Sequence, residues 1–199
     1  LNAAGASWTV GTEFYDAINY GLFYSDDELG KILTEVHKQA ELLGVKKILV
    51  GECGHATKTV KVFSDLINAE HGYELENVLE YTAKAISDGR IKIDSTRNGE
   101  SVTYHDPCNL ARMGGVIEPP RDIINATNRD FREMTPNGGE NYCCGGGGGG
   151  VTVPDIQEFR MEVAGKKKAE QIKESGAELV AAPCANCKKQ LRELTEHHG

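Results

Sequence analysis

The sequence predicts an α/β fold in two related halves, each with a mostly parallel sheet flanked by helices. Three observations carry that prediction. Short apolar runs at 45–50 and 177–182 alternate with longer stretches of three-and-four periodicity, the pattern of strands joined through helices. Gly44-Val45-Lys46-Lys47-Ile48-Leu49-Val50-Gly51-Glu52-Cys53 is repeated in kind by Gly176-Ala177-Glu178-Leu179-Val180-Ala181-Ala182-Pro183-Cys184, each a helix end, a strand and a cysteine opening a helix. Every cysteine falls at a strand end or a helix start, where open α/β sheets place their ligands.

Taken in order, residues 1–24 hold Trp8, Phe14, Tyr15, Tyr20, Phe23 and Tyr24, read as core packing under a loop. A helix is expected over 26–43, because Leu29, Ile32, Leu33, Val36, Ala40 and Leu43 share one face and Ser25 or Asp26 can cap it. A buried strand at 45–50 and a turn through Gly51-Glu52-Cys53-Gly54-His55 lead into a helix over 56–69. Residues 74–87 read as a further helix stopped at Gly89. Asn98-Gly99, between strands at 91–93 and 101–104, is a hairpin signal. Asp106 is placed to cap a helix with Pro107 at its first position, so that Cys108 sits in the first turn, where the helix end favours thiolate. Pro119-Pro120 opens a short helix to 124, and 131–134 reads as a strand. One long helix is expected over 154–174, with Lys166-Lys167-Lys168 on a solvated face. A buried strand at 177–182 then feeds a final helix from Cys184 to 196.

With 199 residues the chain can bury a full core, and its net charge of −8 excludes nucleic acid and an anionic membrane surface as default partners. No apolar run reaches bilayer length and the amino end lacks a signal-peptide pattern, so the expectation is a cytoplasmic chain with no direct membrane insertion. Six cysteines in such a chain are read as metal or redox thiols rather than disulfides.

Five of them are spaced C-x34-C-C-x39-C-x2-C, from Cys108 through Cys143-Cys144 to Cys184 and Cys187. Adjacent cysteines rarely bridge each other, and the glycines from Gly145 to Gly150 let the backbone come close to whatever the sulfurs hold. A structural zinc takes four ligands, so five thiols suit an iron-sulfur cluster better, with zinc as the alternative. A thioredoxin-like pair at Cys184 and Cys187 is a further alternative. The match of Gly145, Gly147 and Gly150 to G-x-G-x-x-G is one that any six-glycine run gives. If Cys53 matches Cys184, then Ala56 stands where Cys187 would be. Residues 1–99 therefore read as a degenerate first repeat and 100–199 as the complete one. Because Leu1-Asn2-Ala3-Ala4-Gly5 aligns best with Met134 onward, the chain is expected to be a piece of a longer protein.

Cys108, Cys143-Cys144-Gly145 and Cys184-x2-Cys187 resemble the cysteine-rich CCG domain of heterodisulfide reductase catalytic subunits and their relatives, which include iron-sulfur subunits of glycolate and lactate oxidation systems. The segments His105-Asp106-Pro107-Cys108-Asn109-Leu110-Ala111-Arg112 and Glu52-Cys53-Gly54-His55-Ala56 are most similar to the heterodisulfide-reductase-like subunit of the membrane complex linked to dissimilatory sulfite reductase. The resemblance implies a noncubane [4Fe-4S] cluster on Cys108, Cys143, Cys144, Cys184 and Cys187, reducing a disulfide or trisulfide in one-electron steps. It also implies redox partner subunits of a larger complex at the cytoplasmic face of the membrane, and a small sulfur-carrier protein bringing the substrate. Such chemistry needs a proton donor for the leaving thiolate, for which His55 and His105 are the candidates. Cys53 is a sixth ligand, a neighbour of the cluster or a small buried residue. Arg112 and Arg121 are candidates to steer an anionic substrate. The competing readings are a zinc or iron-sulfur module for assembly or electron relay, and an electron-transfer subunit for 2-hydroxy acid oxidation.

Overall fold

A computed structural model of the chain describes residues 1–12, 24–64 and 71–199. Helix α1 (Asp26–Leu43) begins where Ser25 Oγ accepts the Glu28 N–H at 3.1 Å and ends at Gly44, whose φ of 60° makes the left-handed turn. Its Leu29 and Leu33 pack with Val60 and with Val50 at the end of strand β1 (Lys47–Val50). Trp8 and Tyr24 are exposed, so neither belongs to a core; Phe14, Tyr15, Tyr20 and Phe23 lie outside the described residues.

β1 pairs in parallel with β2 (Glu74–Asn77), Lys47 opposite Glu74 and Val50 opposite Asn77. The sequence reading puts 74–77 in a helix, but α3 (Val78–Ser87) starts only after Asn77. A capping box fixes that boundary: Asn77 Oδ1 accepts the Leu79 N–H and Glu80 Oε2 accepts the Asn77 N–H, both at 2.8 Å. The Asn77 amide also donates to Gly51 O and Thr57 Oγ1, tying the exit of β1 to α2 (Gly54–Lys58). α2 therefore opens two residues before the expected start at 56 and runs on into a π-helical turn, Thr59–Phe63; residues 65–70 lie outside the described set.

In the second half, β3 (Val102–Tyr104) pairs in parallel with β4 (Leu179–Ala181), Val102 opposite Leu179. The expected hairpin does not form. Residues 91–93 are not a strand, and the Asn98 amide instead donates to Thr127 O at 2.8 Å. The partner of β3 lies far along the chain, and a local turn signal carries no information about it. The expected strand at 131–134 reduces to one bridge between Phe131 and Val102.

Asp106 does not cap a helix either. It accepts both Arg121 Nη1 and Nη2, at 2.9 and 2.8 Å, and the Gly138 N–H at 2.8 Å, while a π-helical turn, Asn109–Met113, begins directly after Cys108. Arg121, on α4 (Glu118–Thr127), is buried and also reaches Glu133 at 2.6 Å, so it is a framework ion pair rather than a steering group. Arg121→Met strands the buried Asp106 carboxylate and is expected to cost about 3–5 kcal/mol, read as a lower urea midpoint at unchanged m-value.

The long helix expected over 154–174 is broken. Short 3-10 and helical turns run through Pro154–Ile156 and Gln157–Phe159, a π-helical turn covers Arg160–Ala164, and α5 (Lys166–Ser175) starts after Gly165. A Cβ at Gly165 would stand 2.8 Å from Leu194 Cδ2 of α6 (Ala185–His198), so the bare backbone there is what lets α6 cross. The core between these helices holds Met134, Met161, Ala169, Ile172, Leu191 and Leu194, packed with Cys144, Cys184 and Cys187. The two halves meet where α3 lies on α4 and where α2 lies on the turn after Cys108. At the second contact a Cβ on Gly54 would be 2.8 Å from the Leu110 backbone nitrogen.

Candidate metal centre

Element ends deliver three of the five cysteines and a loop delivers the other two. Cys108 follows the exit of β3, Cys143 and Cys144 lie in the loop before the glycines, Cys184 occupies the cap position of α6, and Cys187 lies in its first turn. The five sulfurs form one line of neighbours: Cys108 with Cys143, Cys143 with Cys144, Cys144 with Cys187, and Cys187 with Cys184. The Cys144 and Cys187 sulfurs are 3.3 Å apart, well beyond a disulfide bond of about 2.05 Å, and all six cysteines are free. All five line one cavity together with Pro107, Asn109, Gly147 and Asn186, and the first half adds Gly54 and His55. Cys53 does not line it.

Thiols this crowded cannot all ionise on their own. Cys143 is held well below the ordinary thiol range, first by Cys108 and then by Cys144, and Cys184 is pulled down to about 6, chiefly by Cys187. Their neighbours move the other way: Cys143 pushes up both Cys108 and Cys144, and Cys144 pushes up Cys187. A bound metal centre would supply the positive charge that five neighbouring thiolates need. Backbone N–H groups already point at the sulfurs, from Gly145 to Cys143 at 3.4 Å, from Gly146 to Cys144, and from Cys187, Asn186 and Gly54 to Cys184. An all-sulfur set of five, with Cys144, Cys184 and Cys187 buried and backbone N–H donors around it, fits an iron-sulfur cluster and exceeds what a tetrahedral zinc takes.

The first two glycines of the run are wedged against the core beside the sulfurs. Gly145 has a φ of +82°, and a Cβ there would lie 2.7 Å from Ala164 C. On Gly146 it would lie 2.7 Å from both Gln190 Cβ and Val151 Cγ1. Arg112 donates through Nε to Gly139 O at 2.7 Å and through Nη2 to Asn141 O, so it braces the loop leading to Cys143 rather than meeting a substrate.

The two histidines sit in different surroundings. His105 is fully buried, both its ring nitrogens lack a hydrogen-bond partner among the described residues, and it stands within 4.8 Å of the Cys144 and Cys187 sulfurs. Burial, then Lys168, pushes its pKa down to about 3, which leaves the ring neutral at pH 7. His55 lines the cavity, its pKa lowered by burial and then by Lys58.

Lys168 departs from the expected solvated face: its side chain is buried, and burial pushes its pKa down to about 8 against the raising pull of Asp106 and the cysteines. The available signal was Lys168 standing beside Ala169 and one turn before Ile172, on the stripe that α5 buries. Gly54 was also missed as a site residue, and only its position after Cys53 at a helix start hinted at an N–H donor.

A family model described as the cysteine-rich domain CCG matches residues 102–192. Among curated proteins, the chain is 30% identical to an Hdr-like menaquinol oxidoreductase iron-sulfur subunit of Archaeoglobus profundus, over 94% of this chain and 40% of that protein. It is 26% identical to one component of the dihydromethanophenazine:CoB--CoM heterodisulfide reductase of Methanosarcina barkeri, over 92% of this chain and 44% of that component. An EtfAB:quinone oxidoreductase of Syntrophomonas wolfei is 28% identical, over 94% of this chain and 26% of its own length. The chain thus spans about two fifths of the length of the first curated relatives it matches. No solved structure matches it at a significant level. Among the described residues, no helix is long and apolar enough to cross a membrane.

Proposed function

Residues 102–192 belong to the CCG cysteine-rich domain family, and from that premise we propose that this chain is the cluster-bearing part of a heterodisulfide-reductase-like iron-sulfur oxidoreductase. Cys108, Cys143, Cys144, Cys184 and Cys187 hold a noncubane [4Fe-4S] cluster, at which a disulfide or trisulfide is reduced. The single observation carrying this reading is the unbroken line of five sulfur neighbours around one cavity. The two parallel sheets, one in 1–99 and one in 100–199, support reading the halves as related repeats, of which only the second keeps the full five-cysteine set.

When bound, the cluster supplies electrons singly and an iron site with affinity for sulfur. The chain's own residues do the rest. Burial of Cys144, Cys184 and Cys187 and the close packing at Gly145 and Gly146 restrict the cavity, which Gly54 and His55 also line. Cleaving one disulfide consumes two electrons and two protons and leaves two thiols, so a donor is needed beside the leaving sulfur. His55, which lines the cavity, is the donor in this reading, whereas His105, neutral at pH 7, supplies an N–H but not an acid. Because burial lowers the His55 pKa, its charged form grows as pH falls below the ordinary imidazole value of about 6.5. Disulfide reduction is expected to speed up over that range, and His55→Gln to lose about a hundredfold or more of the rate together with the pH dependence.

The substrate is carried by a small partner protein, and partner subunits of a larger membrane-attached complex deliver the electrons at its cytoplasmic face. A second reading, electron relay without sulfur chemistry, is favoured by the likeness to a quinone oxidoreductase. The reduced, cluster-loaded protein titrated with an organic disulfide or trisulfide separates the two. An EPR signal that changes with substrate and thiol released in proportion support catalysis; an EPR signal indifferent to every sulfur substrate supports relay.

A further inference from the structure

Lys168 is the third lysine of a run whose first two, Lys166 and Lys167, are exposed. Its own side chain is 1% exposed, and among the described residues its ammonium has one hydrogen-bond neighbour, Met134 Sδ at 3.6 Å. The neighbouring Lys167 has its carboxylate, Glu170 at 2.8 Å. Asp106 is the acid nearest in effect, yet both its oxygens are already engaged by Arg121 and the Gly138 N–H. A buried ammonium without a dedicated anion is destabilising by several kcal/mol. Beyond Asp106, the groups that feel its charge are Cys144, Cys143 and Cys187, and His105 beside them.

The fold therefore places an uncompensated buried cation beside a set of crowded sulfurs that need positive charge. Met134, which its ammonium meets, packs in the same core as Cys144, Cys184 and Cys187. We propose that Lys168 is the fixed counter-charge of the cysteine centre, favouring its more negative, reduced form and so raising its potential. The inference rests on the iron-sulfur reading above and deepens it, since net charge, burial and polar contacts near the sulfurs set cluster potentials. Lys168 is a positioning group: it transfers nothing.

Two variants isolate charge from shape. Lys168→Met keeps an unbranched chain of similar length without the ammonium, and Lys168→Arg keeps the charge. Each is compared with the parent for urea stability without iron, for iron and acid-labile sulfide per chain, and for midpoint potential in an EPR-monitored titration. Lys168→Met is expected to fold at least as stably as the parent without iron, because it loses an unpaired buried charge. With its cluster retained, it should show about a tenfold lower constant for one-electron reduction, a shift of about 59 mV to more negative potential. Lys168→Arg should stay near the parent. Loss of iron in Lys168→Met but not in Lys168→Arg also supports a charge requirement. An unmoved potential in a loaded Lys168→Met variant overturns the proposal, as do equal losses in both variants, which would mark a packing role. A parent chain with one zinc and no sulfide fails the iron-sulfur reading before either variant is made, and this proposal with it.

Discussion

Cys144→Ala is expected to reduce bound iron to less than a third of the parent value and to remove the visible thiolate-to-iron absorption. Cys144 is the middle of the sulfur line, in contact with Cys143 on one side and 3.3 Å from Cys187 on the other. It is also 2% exposed, so neither water nor a mobile side chain replaces its sulfur. Losing an end sulfur leaves four that are still contiguous, whereas losing Cys144 splits the set into two pairs. The cost to the fold without iron is small, because only a sulfur atom leaves the core, roughly 1–2 kcal/mol. Iron loss without unfolding, followed by circular dichroism on the same sample, is therefore the expected pattern. Cys53→Ala is the control: Cys53 does not line the cavity, and its iron content should match the parent.

Gly145→Ala is expected to destabilise the chain by about 2–4 kcal/mol. Two costs add. The φ of +82° disfavours any side chain, and the new methyl would meet Ala164 C at 2.7 Å and Gly165 N at 2.8 Å, backbone atoms that cannot swing away. The strain falls directly after Cys144, so iron retention should fall with stability. Gly147→Ala lies in the same run, but a Cβ there meets nothing within 4 Å and its φ is not positive. Urea unfolding should place Gly147→Ala close to the parent, within about 0.5 kcal/mol. Equal costs at the two positions would mean that the wedged geometry of the loop does not hold in solution.

Much of this architecture was legible because its signals are local. Ser25 before a three-and-four stripe gave α1, and the apolar runs before Cys53 and Cys184 gave β1 and β4, each slightly shorter in the structure. The meeting of Cys108 and Cys184 followed from strand ends lying together in a parallel sheet, whereas Cys143 and Cys144 come in on a loop rather than at the expected strand end. What failed depended on distant parts of the chain. β2 hides in Glu74-Leu75-Glu76-Asn77, which alternates only weakly and needs β1 beside it to be a strand, although Asn77 and Glu80 already marked the true helix start. The Asn98-Gly99 turn was a sound local signal overruled by the pairing of β3 with β4. Gly165 interrupts an otherwise helical stretch because of Leu194, and Lys168 is buried because α5 turns that face to the thiol core. The first cause cannot be seen within the helix's own sequence, and the second shows there only through the Ala169 and Ile172 stripe.

The five thiols are expected to hold an iron-sulfur cluster. Iron, zinc and acid-labile sulfide measured on the same anaerobically purified sample, with its visible spectrum, test it most directly. About four iron and four sulfide per chain is the predicted result. One zinc and no sulfide would contradict it, and the cysteines would then be a structural site with no sulfur chemistry of their own.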